Sequence, residues 1–113
     1  MTTTEARHSV VAAVASLDAA HRRALDLAAA NPDSTWIDAA VMIGAALGQL
    51  LAAADTVIGD ATPPETLSGT CLSLLEAAER FLDQIPPGEG PVTLALVRSY
   101  LTDAIVETAG REP

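Results

Sequence analysis

The sequence predicts an all-α fold, a single-domain up-down four-helix bundle over residues 1–113 with an Ala/Leu-rich core. Three observations predict it. Breaker clusters at 31–34 (NPDS), 59–64 (GDATPP) and 86–91 (PPGEGP) divide the chain into four segments. Inside each segment apolar or small residues recur at spacings of three and four, the period of one helix face. Nowhere does a β-branched run alternate with period two over the length of a strand.

The first helix is predicted over residues 3–30. Thr2 and Glu5 have capping-box spacing, and Val10, Val14, Leu17, His21, Ala24 and Ala28 form its inner seam. The second, over 35–58, follows Pro32 with Asp33 or Ser34 as cap and repeats at Trp36, Ala40, Ile43, Leu47, Leu50, Ala54 and Val57. For the third, over 63–85, Thr62 is the expected cap and Pro63 the first helical residue, with a seam at Leu67, Cys71, Leu74, Ala78, Phe81 and Ile85. The fourth, over 91–109, repeats at Leu94, Val97, Leu101, Ala104 and Thr108 and meets Gly110 as a stop signal. Short connections favour antiparallel neighbours. Alanine and glycine on the seams allow close helix approach, which leaves little room for a haem or flavin, so no cofactor is expected.

A chain of this length buries roughly 60–70% of the surface that its unfolded form exposes, enough for one core. With only Trp36, Phe81 and Tyr100 as aromatics, that core must be thin and aliphatic. Six arginines, no lysine and fifteen acids give a net charge of -9. Such a field repels phosphate backbones and anionic membrane surfaces, which argues against nucleic-acid and membrane partners. Arginine without lysine, beside abundant alanine, suggests a bacterial source. A lone cysteine, Cys71, suits a reducing, cytoplasmic setting. The stretch after Arg7 and His8 mimics a signal peptide, but Glu5 sits in the would-be positive region and the helical register runs on past Ala15.

The motifs do not add up to chemistry, and no enzyme is expected. Glu5 and His8 have Glu-x-x-His spacing, but they lie on one helix and point away from its seam, whereas di-iron bundles draw ligands from several helices. No metal site is therefore expected. His21 lies on the seam one turn after Asp18. A histidine on an acidic four-helix bundle of this size resembles a histidine phosphotransfer domain. The lysine and glycine that follow the phosphoacceptor there are replaced here by Arg22, Arg23, Ala24 and Leu25. The expected role is a core or rim histidine that fixes helix register, with His21 and Asp18 as the alternative nucleus of a small-ligand or metal site. Cys71, flanked by leucines and without a cation nearby in sequence, reads as an inert buried thiol. Glu76, Glu79 and Asp83 read as a solvated face, with Glu76 paired to Arg80 at i,i+4.

The residues between Asp38 and Asp55 carry no charge at all. The tract is short for a membrane span, contains Gln49 and lacks flanking cations. Two of its faces are expected to meet neighbours: Trp36, Ala40, Ile43, Leu47 and Leu50 on one, Ile37, Val41, Gly44 and Gly48 on the other. The third, Met42, Ala45, Ala46, Gln49 and Ala53, is then left outward and uncharged, and covering by a second copy in a homodimer is the simplest remedy. A second candidate patch lies on the fourth helix, where Val92, Leu96 and Tyr100 stand off the seam with Asp103 and Glu107 beyond them. Apolar anchors rimmed by acids have the make-up of a contact for a basic protein partner. The function expected is non-catalytic, through protein–protein interaction.

Overall fold

The computed structural model describes residues 3–31, 34–53, 69–85 and 94–112, the side chains of 3–7 and 53 excepted. Among these residues the fold is all-α: α1 (Thr3–Ala30), α2 (Ser34–Ala53), α3 (Cys71–Asp83) and α4 (Leu94–Thr108) pack as a four-helix bundle. At 1.5 Å per residue α1 is about 42 Å long, which accounts for the 45 Å longest dimension of the molecule.

The seams predicted from spacing are the buried faces. Leu17, Ile43, Leu50, Leu75, Leu82 and Leu101 lose nearly all exposure, each contributing roughly 1.5–3 kcal/mol by leaving water. Ala13, Ala20, Ala39, Ala46, Ala78 and Ala104 are buried between them, so helices approach closely where no side chain holds them apart. His21 and Phe81, both expected on seams, are only partly buried.

Packing partners define the arrangement. α1 lies against α2 and α3, α2 against α4, and α3 more lightly against α4, so α1/α4 and α2/α3 are the diagonals. Ser9 of α1 donates to Gln84 just past α3, and Cys71 at the start of α3 lies on the Ala20 carbonyl, which makes α1 and α3 antiparallel. Asp83 meets Arg98, and Cys71 meets Glu112, so α3 and α4 are antiparallel too. His21 of α1 packs on Gly44 of α2, and with only three residues between the two helices α1 and α2 run antiparallel. Every packed pair is thus antiparallel, as in an up-down bundle, but the order round the bundle is α1, α2, α4, α3. Consequently α2 and α3, consecutive in sequence, run in the same direction on opposite corners.

The helix ends follow local chemistry. Asn31 closes α1 by donating from both its backbone and its side-chain amide to the Leu27 carbonyl, at 2.9 and 3.0 Å. α3 starts at Cys71, later than the sequence suggests. Gly69 holds a φ of 142°, a conformation closed to most side chains, and Thr70 behind it caps the helix by accepting from the Ser73 amide at 3.0 Å. Two signals compete as the start of this helix, Thr62-Pro63 and Gly69-Thr70. The second begins α3, and residues 61–68 lie outside the described segments. Residues 54–58 and 91–93, expected at the end of the second helix and the start of the fourth, also lie outside them. At the far end Gly110, with φ 71°, ends α4 as expected, and Arg111 donates back to the Thr108 carbonyl.

Candidate interaction face

α2 has one apolar face too many. Its buried residues, Trp36, Ala39, Ile43, Ala46, Leu47 and Leu50, centre on one direction, and about 180° away at 100° per residue run Ile37, Val41, Ala45, Gly48 and Ala52. Ile37 and Val41 are 52% and 67% exposed. A Cβ added at Gly48 would meet nothing within 4 Å, so the backbone there is bare. From Ala39 to Ala53 the helix carries no charge, and among the described residues of α2 Asp38 is the one acid.

The structure therefore corrects the orientation read from sequence. Ile37, Val41 and Gly48, expected against a neighbour, face outward. Ala46, expected outward, is fully buried, and Met42, Ala45 and Gln49 are partly buried. The reason is the ring order. With Gly44 turned to His21 of α1, the Met42–Gln49 flank about 160° away turns toward α4. The side chain of Ala53 lies outside the described residues.

On α4 the candidate patch divides. Leu96 is exposed at 42% and Asp103 is exposed, whereas Tyr100 and Glu107 are partly buried, with Tyr100 packed against the core. Val92 lies outside the described residues. Arg98 marks the α3-facing flank of α4 through its 2.6 Å contact with Asp83, so Tyr100 and Glu107, on the other flank, turn toward α2. The two patches, separate in sequence, thus lie on the flanks of α2 and α4 that turn toward each other. Val106, 72% exposed on the outer side of α4, adds an apolar residue that no spacing rule had singled out.

The charged chemistry gathers elsewhere. Arg23 of α1 reaches Glu112 through Nε and a terminal nitrogen at 3.3 and 3.0 Å. The other oxygen of that carboxylate accepts the Cys71 amide at 2.8 Å. The Glu112 side chain is only 8% exposed. It supplies a negative charge at the N-terminus of α3, where unpaired amides and the helix dipole favour one. The carboxylate also holds the Arg23 proton more firmly than usual, by hydrogen bonding first and charge second. No local spacing signals this clasp, because its members lie 89 and 41 positions apart.

Cys71 is fully buried, and its thiol is pushed up to about 11, by burial first and by Glu112 second, with Arg23 acting weakly in the opposite sense. The thiol is buried, as expected, although the fold does bring a cation near it. Asp18 pairs with Arg22 at 3.2 Å and not with His21. His21 instead lies against Gly44, where a Cβ would come within 3.2 Å of its Nε2. The ion pair on the outer face of α3 runs from Asp83 to Arg98, not from Glu76 to Arg80. His8 is exposed, and the Glu5 side chain lies outside the described residues. Among the described residues no three His, Cys, Asp or Glu side chains come together as metal ligands.

Residues Ser34–Ala52 are long and apolar enough to cross a membrane by length and composition, and 44% of that window is buried inside the bundle. The helices that bury it are α1 and α4. No family model, no curated protein and no solved structure matches the chain.

Proposed function

We propose that this protein is a non-catalytic helical-bundle module that works through protein–protein contacts, associating with its own copy through the outer ridge of α2. One observation carries the reading: Ile37 and Val41 stand 52% and 67% exposed on a ridge without charge, in a chain of net charge -9. A second copy is the partner whose matching ridge can be buried without taking a carboxylate out of water. A cytoplasmic setting fits the lone buried thiol, and the acidic balance disfavours nucleic acid. A basic protein partner fits Leu96 with Asp103 and Glu107 beside it.

Sedimentation equilibrium over a wide concentration range tests the first contact. The wild type is expected to dimerise, more strongly as added salt screens the mutual repulsion, and Val41→Glu is expected to be monomeric with unchanged helicity. A wild type that stays monomeric at millimolar concentration overturns the reading.

A further inference from the structure

We infer that α3 is a detachable helix, latched shut through Glu112 in the segment that follows α4 and biased toward release by the buried hydroxyl of Ser16. The device lies on the α1–α3 side of the bundle and does not depend on self-association.

The flank of α1 that meets α3 is small and polar. Ser9, Ser16 and Arg23 recur at intervals of seven, a spacing that drifts only about 20° per step round a helix, with Ala13 and Ala20 among them. Ser9 donates to Gln84 at 3.5 Å, the long limit for such a bond. Arg23 holds Glu112. Ser16 lies one turn before Ala20, whose carbonyl meets Cys71, and so sits under the middle of α3. It has no exposure, and its Oγ has no hydrogen-bond partner among the described residues. A hydroxyl covered in this way gives up its bonds to water without replacement and regains them when the covering helix moves off. Ser16 therefore opposes the docking of α3.

The clasp acts in the other direction. Glu112 takes two bonds from Arg23 of α1, at 3.3 and 3.0 Å, and one from the first amide of α3 at 2.8 Å, so it fastens both helices at once. Its side chain is 8% exposed, which shields these charge-assisted bonds from water. At the other end of α3 the Asp83–Arg98 pair is open to solvent and contributes little. The polar fastening of α3 is thus concentrated at its first turn. Because α1 and α4 each lie against α2, those three helices keep their mutual contacts when α3 leaves. The freed element is an amphipathic helix, apolar along Leu74, Leu75, Ala78 and Leu82 and acidic at Glu76 and Asp83. Such an opening is a partial unfolding of one cooperative unit, below the cost of opening the whole bundle.

Cys71 is the built-in reporter. It is fully buried on the first turn of α3, so a maleimide reaches its thiol only while the helix is away. The labelling rate of the native protein, followed by mass spectrometry, then reads the open fraction. Glu112→Ala is expected to speed labelling about fivefold, the effect of one lost helix cap. Ser16→Ala is expected to slow it about fivefold or more, because the hydroxyl that favours the open state is gone. A second reporter, Ala46→Cys in a Cys71→Ala background, places the thiol on the buried face of α2. Cys71 is expected to label about tenfold faster or more than this reporter, and with a shallower dependence on urea, since its exposure uncovers only part of the core. Equal rates with equal urea dependence at the two thiols would show that α3 leaves only when the whole bundle unfolds, and would overturn the inference. Labelling that Glu112→Ala fails to speed removes the latch, and labelling that Ser16→Ala fails to slow removes the bias toward release.

Discussion

α2 and α3 are natural controls for each other. They run in the same direction on opposite corners of the bundle, and each sinks one face into the same core through leucines without exposure, Leu50 in α2 and Leu75 in α3. Their outer faces part company. α3 shows Ser73, Glu76, Arg80 and Asp83 to water and ties Asp83 to Arg98, whereas α2 shows Ile37, Val41, Gly48 and Ala52. The inner faces are interchangeable in kind, so the fold needs both equally. The outer faces are not: solvation explains one of them, and the other asks for an occupant.

The largest expected effect strikes both helices alike. Leu50→Ala and Leu75→Ala are each expected to cost about 2–5 kcal/mol in chemical denaturation, because each leaves a cavity beside tightly packed alanines. A cost for Leu50→Ala under about 1 kcal/mol, below that range, would break the comparison, since it would mean that α2 is held by its outer ridge and not by the core.

The start of α3 is expected to be sensitive to base where α2 is not. Burial pushes the Cys71 thiol up to about 11. An unfolded thiol releases its proton near pH 8.5. Between those values the folded state holds the proton more tightly than the unfolded one. The stabilising contribution is therefore complete below about 8.5 and is lost as pH rises toward 11. Urea titrations across that range are expected to show falling stability, and Cys71→Ala should remove that part of the slope. Hydrogen exchange should report the loosening at the first turn of α3 before it reaches α2.

A smaller effect concerns the clasp. Glu112→Ala removes the carboxylate that accepts the Cys71 amide, and is expected to cost about 1 kcal/mol, the usual penalty for losing an N-terminal cap. Exchange should rise at the Cys71 and Leu72 amides and stay unchanged along α2. Equal loosening of both helices would mean that the tail braces the whole bundle.

The smallest effect compares two glycines on α2. Gly48→Ala meets open space and is expected to raise monomer stability by about 0.5–1 kcal/mol through helix propensity alone. Gly44→Ala must push the His21 ring by a few tenths of an ångström, and its gain is expected to be smaller or absent. Thermal melts of the dilute protein separate them. An equal gain at both would show that the His21 ring yields freely, and that Gly44 is not a register device.

By itself the sequence determined the four helices, their inner seams, the buried Cys71, the stop at Gly110 and the existence of an uncharged α2. All of these are set within a few residues along the chain, by spacing, caps and charge. Helix order was decided only in three dimensions, and with it came which flank of α2 turns outward. An azimuth read from spacing fixes a helix relative to its own seam but not to its neighbours. That is why Ala46 proved buried and Ile37 and Val41 exposed. The Arg23–Glu112–Cys71 clasp and the apposition of the α2 and α4 patches have the same origin. They join residues that no local rule connects, and only the closing of the bundle brings their side chains within reach.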